Sequence, residues 1–510
     1  DGAGVDHRVF QLVPEPWRGG VDLKSGQINK LKGQCRIRDG VVQFETSADL
    51  KRVWLTEPSG LWPEGPLDLV QSLQGSWMPG PKLNLTVERN QGTVKQGDTV
   101  LGVYDLNGRM VDAGLELDVK SLDLGPAFTR RALDRWLPDQ PVAAGRLEMK
   151  ELKVSLPQQG VGTVNGQLSI KGFSVPARVP GDPAQSLDTT LNIQAAGTNR
   201  VLQLKQCAVA LPPTKRAANQ VNLAGAVDLR RWNAPGAQLK IASEAADITP
   251  LMAFLNNPKP SATPDEIPGT APAGSEFGFQ NFNLNLNLKR VVWCDLWATN
   301  LTGNVRIDGR KFTFDPIQMH LLGAPGMIEG QVQTVDRQTQ MAVNINVQAV
   351  PLDPVIRHFA PDHKIQWGKL TANGFLQALG WSGESFRNSF TVRGIDPAVP
   401  AQLVIEDSHW GFKEDDILVG IIARSLNLPQ LLDSHFDSAE LALIAQDGKA
   451  HFELAAGGPL LRVGTRGEGQ LGSRFLDTTI KQDISIELPP KLAEEFRALG
   501  ILFPRSRHNR

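Results

Sequence analysis

The residues of this chain that could do chemistry are few, and most of them sit in the wrong surroundings. The run Gly467-Glu468-Gly469-Gln470-Leu471-Gly472 spells a literal G-x-G-x-x-G. A dinucleotide site needs those glycines to close a strand and open a helix, so that a helix N-terminus meets the pyrophosphate. Here Leu476, Thr478 and Ile480 follow in alternation, which predicts a strand with close backbone approach instead. His358 and His363, the nearest histidine pair considered, straddle Pro361 at a helix end, where imidazoles ordinarily meet water or a terminal carbonyl. Glu414-Asp415-Asp416 beside Lys413 reads as a solvated turn. Cys35, Cys207 and Cys294 are odd in number and far apart; they are expected to be buried thiols. No general acid–base pair, G-x-S-x-G, phosphate loop or H-E-x-x-H is found. The expectation is no catalytic residue, no metal site, no cofactor and no enzyme.

Lys+Arg is 53 against Asp+Glu 54 in 510 residues, so no basic face for nucleic acid is implied. Hydrophobic residues make up 41 %, yet no run approaches the roughly 18 apolar residues of a membrane-crossing helix. The chain opens Asp1-Gly2-Ala3-Gly4. That start predicts a processed or truncated product whose signal or membrane anchor lies outside the sequence. Trp (11) and Phe (20) outnumber a single tyrosine, Tyr104, so the apolar surface is chiefly aliphatic and suits acyl chains better than sugars.

What must position these apolar residues is strand. Alternation at a period of two, which puts one face on apolar material and the other in water, recurs at Leu115, Leu117 and Val119; at Leu239 and Ile241; and at Leu284, Leu286 and Leu288. It continues at Val305 and Ile307, then Phe312 and Phe314; at Val343, Ile345 and Val347; and at Ile484, Ile486 and Leu488. These are the candidate lipid-facing residues. Asp39-Gly40, Asn107-Gly108, Asp308-Gly309 and Asp447-Gly448 are the dipeptides that tight antiparallel hairpins favour.

A second pattern interrupts the strands. Ser121-Leu122-Asp123-Leu124-Gly125-Pro126, Ala245-Ala246-Asp247-Ile248-Thr249-Pro250, Ala349-Val350-Pro351-Leu352-Asp353-Pro354 and Ser425-Leu426-Asn427-Leu428-Pro429 each end a strand and open a short amphipathic helix. Proline stands where a helix can start without wasting an N–H, and Thr249 and Asp353 precede it as candidate caps. The spacing is too irregular for a solenoid. The fold expected is mainly β: an elongated, curled antiparallel sheet, groove-like or taco-like, built of repeated modules with short amphipathic helices. Residues 1–255 are read as N-terminal β-rich module(s), 256–276 as a flexible Pro/Ala/Ser-rich loop or linker, 277–503 as a C-terminal β-rich module and 504–510 as a frayed basic tail.

The C-terminal half resembles AsmA-like proteins. The resemblance rests on Phe282 to Leu288, Leu301-Thr302-Gly303-Asn304-Val305-Arg306-Ile307-Asp308-Gly309, Pro316-Ile317, Leu322-Gly323-Ala324 and Gly330-Gln331-Val332. It extends to Ala439 to Leu443, Asp447-Gly448-Lys449, Gly467 to Gly469 and Ile484 to Leu488. It covers about residues 277 to 500 and reaches the first half only in style. It implies a protein of the Gram-negative periplasm, held to the inner membrane by an anchor outside this sequence. It also implies kinship with bridge-like lipid carriers, phospholipid or another acyl-chain lipid as partner, envelope protein partners, and no catalytic residues to carry over.

The physics agrees with that expectation. Each methylene left in water costs about 0.8 kcal/mol, so two acyl chains in an aqueous gap face on the order of 20 kcal/mol or more. A curled sheet with an apolar inner face removes most of that cost without a single tight site. About 25 to 30 strands at about 4.8 Å would run roughly 120 to 140 Å. The alternative is that the alternating residues pack against each other as a closed sandwich core. The rival functions are an envelope scaffold binding proteins through its sheet edges, and a parallel β-helix enzyme, for which the regular coils are missing.

Overall fold

The computed structural model describes residues 5–6, 21–56, 62–80, 84–112, 114–136, 143–157, 159–175, 184–198, 201–228, 230, 236–251, 280–309, 311–335, 338–359, 368–379, 389–411, 432–459, 462–470, 479–487 and 490–498. The chain divides into two compact units, Asp1–Ala262 and Thr263–Arg510. The division falls inside the Pro-rich stretch, and residues 256–276, like 504–510, lie outside the described residues. The protein is mainly β, with long curled sheet and little helix.

In the first unit the long strands are β1 (Asp22–Arg38), β2 (Val41–Thr56), β3 (Leu67–Trp77), β4 (Asn84–Gln96), β5 (Thr99–Val111) and β6 (Gly114–Leu124). After helix α1 (Pro126–Trp136) follow β7 (Arg146–Pro157), β8 (Gly162–Lys171), β9 (Thr189–Gly197), β10 (Val201–Ala210), β11 (Gln220–Asp228) and β12 (Gly236–Ser243). Each pairs antiparallel with the one before it, a meander in sequence order.

The second unit repeats the plan with β13 (Phe282–Trp293), β14 (Leu296–Asp308), β15 (Lys311–Leu321), β16 (Ala324–Val335) and β17 (Gln338–Pro351). Helix α2 (Leu352–Phe359) precedes β18 (Lys369–Leu379), β19 (Thr391–Arg393), β20 (Ala401–Gly411), β21 (Asp433–Gln446), β22 (Lys449–Gly457), β23 (Arg462–Gln470) and β24 (Thr479–Glu487), and α3 (Pro490–Ala498) comes last. One edge of β18 is shared end to end by β19 and β20, and both then pair with β21.

Turns follow the dipeptides in part. Asp39-Gly40 and Asp447-Gly448 have positive φ at both residues, the conformation two-residue hairpins require. Asn107-Gly108 does not turn: both residues lie inside β5, and the chain reverses between Val111 and Gly114, which pair. The strand period carries straight through that Asn-Gly, with Gly108 opposite Leu117.

Bulges shape the strands. Arg52, Glu151, Asn300 and Ala349 have φ between 52 and 54° and sit where registers shift. A bulge adds a residue, sharpens twist and changes which face the next side chain takes. Val347 and Val350, three apart, therefore share one buried cluster, which an unbroken period of two would forbid. The Ala349 N–H is satisfied by the Thr371 hydroxyl at 3.0 Å.

The short helices cover one end of the strands. Gly125 precedes Pro126, the first residue of α1, and its carbonyl accepts from the N–H groups of Phe128 and Thr129. Phe128 from α1 joins Leu67, Val94 and Leu101 in a buried cluster, and the Thr129 hydroxyl donates to the Gly145 carbonyl at 2.6 Å. Helix α2 adds Val355 to the cluster of Leu296, Leu322, Ala324, Val347 and Val350. At the second repeat Asp247 accepts from the Thr249 N–H at 3.0 Å, and at the third Asp353 lies within the first turn of α2 rather than ahead of it, where a carboxylate suits the helix dipole. The fourth repeat, 425–429, lies outside the described residues.

Candidate functional site

Residues directly opposite each other on paired strands point to the same face, so the registers define rows running across the sheet. In the first unit one row reads Cys35, Phe44, Gly75, Val87, Gly108, Leu117, Val154, Val164, Ala195, Leu204, Gly225 and Leu239, one residue from each strand β1 to β12. Every member is apolar or glycine. One residue further along the strands the next row is Asn107, Asp118, Lys153, Asn165, Gln194 and Gln206. These two neighbouring rows therefore differ sharply in chemistry.

The second unit has its own such row: Leu284, Val305, Phe314, Gly330, Val343, Leu376, Val392, Ala445, Ala450, Gly469 and Ile480. Flanking rows are also apolar but for Thr465. Phe282, Ile307, Phe312, Val332, Met341 and Ala378 form one. Val347, Ala372, Leu403, Leu441, Leu454, Thr465 and Ile484 form another. Gly469 of the G-x-G-x-x-G run is thus a strand residue in an apolar row.

The rows are only half-buried along most of their length. Leu117, Leu239, Ile241, Leu284, Leu286, Leu288, Val305, Ile307, Phe312, Phe314, Val343 and Ile345 are all intermediate in exposure, Leu115 and Ile484 are exposed, and Val119 and Val347 are buried. Val347 belongs to the helix-covered cluster rather than to an open stretch. The Ile486 side chain and Leu488 lie outside the described residues. Among the described residues, two of the buried clusters stay within a few successive strands, one of them under α1, whereas the third reaches from Leu296 on β14 to Val347 and Val350 on β17 beneath α2.

Glycines and aromatics keep these faces low. A Cβ on Gly75 would lie 2.8 Å from the Phe44 ring, one on Gly92 2.4 Å from the Tyr104 ring, and one on Gly467 2.7 Å from the Phe452 ring. Each ring lies across its partner strand's glycine, the cross-strand rescue that stabilises glycine in sheets. Tyr104, the one tyrosine, is thereby half-buried, and burial raises its phenol pKa. A cavity of about 580 Å³ lies against Val87, Gly108, Leu117 and Val154, consecutive members of the first row, a size ordinary for a small-ligand pocket. A second, of about 910 Å³, lies at β21–β24 and is lined by Ile444, Phe452 and Ile480 together with the charged residues Glu453, Arg466, Glu468, Lys481 and Asp483, so it is more polar than the first.

The polar face is held by cross-strand charges. Arg146 grips Asp123 with two hydrogen bonds of 2.9 and 3.0 Å, and Lys171 meets Glu148 at 2.8 Å. At Asp68, burial pushes the carboxyl pKa up, but the Arg52 N–H and the Lys51 ammonium outweigh it, leaving the group below its ordinary value. The cysteines split: Cys207 is buried and burial raises its thiol pKa, Cys294 is half-buried, and Cys35 is exposed. The expected burial fails for Cys35 because β1 is exposed along residues 31–38.

Sequence reasoning missed Phe44, Val87, Val154, Val164 and Leu204 among the members of the first row, because bulges on their strands and, beside Val164, the glycines of β8 interrupt the alternation. His363 and Glu414 to Asp416, together with the His358 side chain, lie outside the described residues. No helix of the described residues is long and apolar enough to cross a membrane. No family model, no curated protein and no solved structure matches the chain.

Proposed function

We propose that this chain is a non-catalytic lipid-binding or lipid-conducting protein of the Gram-negative periplasm, whose half-buried apolar rows shield acyl chains between the inner and outer membranes. The observation that carries the reading is the unbroken row from Cys35 to Leu239, apolar or glycine at every strand and only partly buried. A row with no large polar interruption lets a hydrocarbon tail advance one strand spacing, about 4.8 Å, without leaving a preferred pocket. The AsmA-like resemblance of residues 277–500 supports the same reading and supplies the location and the inner-membrane anchor.

The test is the lipid content of the purified chain. Solvent extraction and mass spectrometry should find phospholipid or another acyl-chain lipid in stoichiometric amount. Leu117→Asp in one unit and Leu286→Asp in the other should cut that load several-fold while cooperative urea unfolding persists. Wild-type protein free of lipid would overturn the reading, as would loss of cooperative unfolding in both variants, which would make these side chains ordinary core.

A second reading, a scaffold that pairs with protein strands, draws on β24. Its described side chains are exposed, and it pairs with β23 alone among the described residues, leaving an edge open to strand addition. Lipid-free protein that captures an extended peptide through β24 would favour it.

A further inference from the structure

In the second unit, β20 and β21 carry mirror-image triplets: Asp407-Ser408-His409 and His435-Phe436-Asp437. The antiparallel register sets His409 directly opposite His435 and Ser408 opposite Phe436. We propose that Asp407, His409 and His435 form a binding site for a late first-row divalent cation of the Zn²⁺ class, with Asp437 as the positioning residue behind it. This does not depend on the lipid reading, because the cluster uses none of the apolar row residues.

The geometry is that of a chelate awaiting an ion. His409 Nε2 and His435 Nδ1 stand 3.1 Å apart, close to the roughly 3.3 Å that separates two nitrogens held at 2.0–2.1 Å on one tetrahedral zinc. An Asp407 carboxylate oxygen lies 3.9 Å from the same His435 Nδ1, and the three donor atoms all fall within 4.8 Å of one another. Asp437 contacts the other nitrogen of the His435 ring, Nε2, at 3.1 Å. A carboxylate accepting from that N–H fixes the tautomer in which Nδ1 presents its lone pair to His409 and Asp407, the second-sphere arrangement usual behind metal-bound histidines.

The platform is rigid where it needs to be. Ser408, Ser434 and Phe436, interleaved with the cluster, are fully buried, and Phe436 packs with Ala439 and Ala456. Asp407, with φ of 54°, lies between residue pairs Glu406–Ser438 and Ser408–Phe436. The imidazoles are half-buried while Asp407 is exposed, so an ion can enter from solvent and water can complete its coordination. Two nitrogens and one carboxylate favour zinc, copper or nickel over calcium or magnesium, which prefer all-oxygen shells.

The experiment is calorimetric titration of chelator-stripped full chain with Zn²⁺, with Co²⁺ as a spectroscopic substitute. Wild type should bind with a site that His409→Ala and His435→Ala each weaken at least about 100-fold, while Asp437→Asn weakens it about 10- to 100-fold. The Co²⁺ complex should show visible d–d bands that His435→Ala abolishes. His451→Ala, a histidine outside the cluster, should leave the affinity unchanged. Thermal unfolding in EDTA checks that each variant is folded, and His409→Gln replaces His409→Ala should the latter fail. The proposal is overturned if wild type binds Zn²⁺ no more tightly than the His409→Ala/His435→Ala double variant, or if His451→Ala weakens binding equally.

Discussion

The two ends of the strands in the first unit carry similar side chains and meet opposite fates. At one end Leu67, Val94 and Leu101 are buried beneath Phe128 of α1, with Trp62 edge-on to Phe128 at 6.0 Å between ring centres. At the other, the row Ile37, Val42, Trp77, Leu85, Met110, Leu115 and Leu156 crosses the same sheet with no helix over it among the described residues. Ile37 is 76 % exposed and Met110 49 % exposed, whereas Leu67 is inaccessible. The strands do not account for the difference; the helix does, anchored by the Thr129 hydrogen bond and by the Arg131–Glu64 ion pair at 2.8 Å. A contiguous apolar stretch left open on a protein surface usually marks a place where something else binds, and on the proposed function that place is the uncovered end, while the covered end holds the fold.

Truncation should separate these ends most sharply. Leu67→Ala removes a fully buried side chain and should cost about 2–5 kcal/mol of unfolding free energy. Met110→Ala, on the open row, should stay within about 0.5 kcal/mol. Urea midpoints for the pair, measured on lipid-stripped protein, decide it: equal losses would mean that the open row is packed in solution, and the contrast between the two ends would collapse.

A smaller effect is expected between those extremes, on the floor of the sheet. Gly75 faces Phe44 across β2 and β3, and a Cβ there would also come within 2.2 Å of the Thr86 carbonyl. Gly75→Val therefore forces the strands apart or displaces the ring, an overpacking cost of about 1–3 kcal/mol. An unchanged midpoint would show that the aromatic rings do not lie against the glycines and that the face has slack.

How much of this was readable from the residues varies with range. The period of two located the strands and one apolar face, and Pro126 marked the start of α1, because these are local consequences of backbone geometry. Asn107-Gly108 misled: the same dipeptide that favours a turn is kept here because Gly108 sits opposite Leu117 in the row, and register is a property of two strands, not one. The bulge at Ala349, which brings Val347 and Val350 together, left no mark in the alternation that could be told from an ordinary strand end. The Asp407/His409/His435 cluster has the same origin. Its halves lie 26 residues apart, and only the pairing of β20 with β21 makes Asp-x-His and His-x-Asp one constellation.

The polar face supplies the smallest expected effect, and its sign can be worked out. The Arg230 side chain and N–H donate to the Asp228 carboxylate, holding its pKa down at about 2 against an ordinary value of 3.8. A group whose folded pKa is depressed contributes stability above its unfolded pKa and loses it as pH falls through the folded one. The Asp228 contribution is therefore full above about pH 4 and disappears between there and about pH 2. Because the Arg230 side chain is exposed and that of Asp228 partly so, salt should screen most of it. Thermal midpoints from pH 5 to pH 1.5 should fall more steeply for wild type than for Asp228→Asn within that window, and the gap should narrow at 1 M salt. Parallel curves would mean that the Asp228–Arg230 contact is not populated in solution. A gap larger than that between Leu67→Ala and wild type would instead make surface charge, not the helix-covered cluster, the main support of this unit.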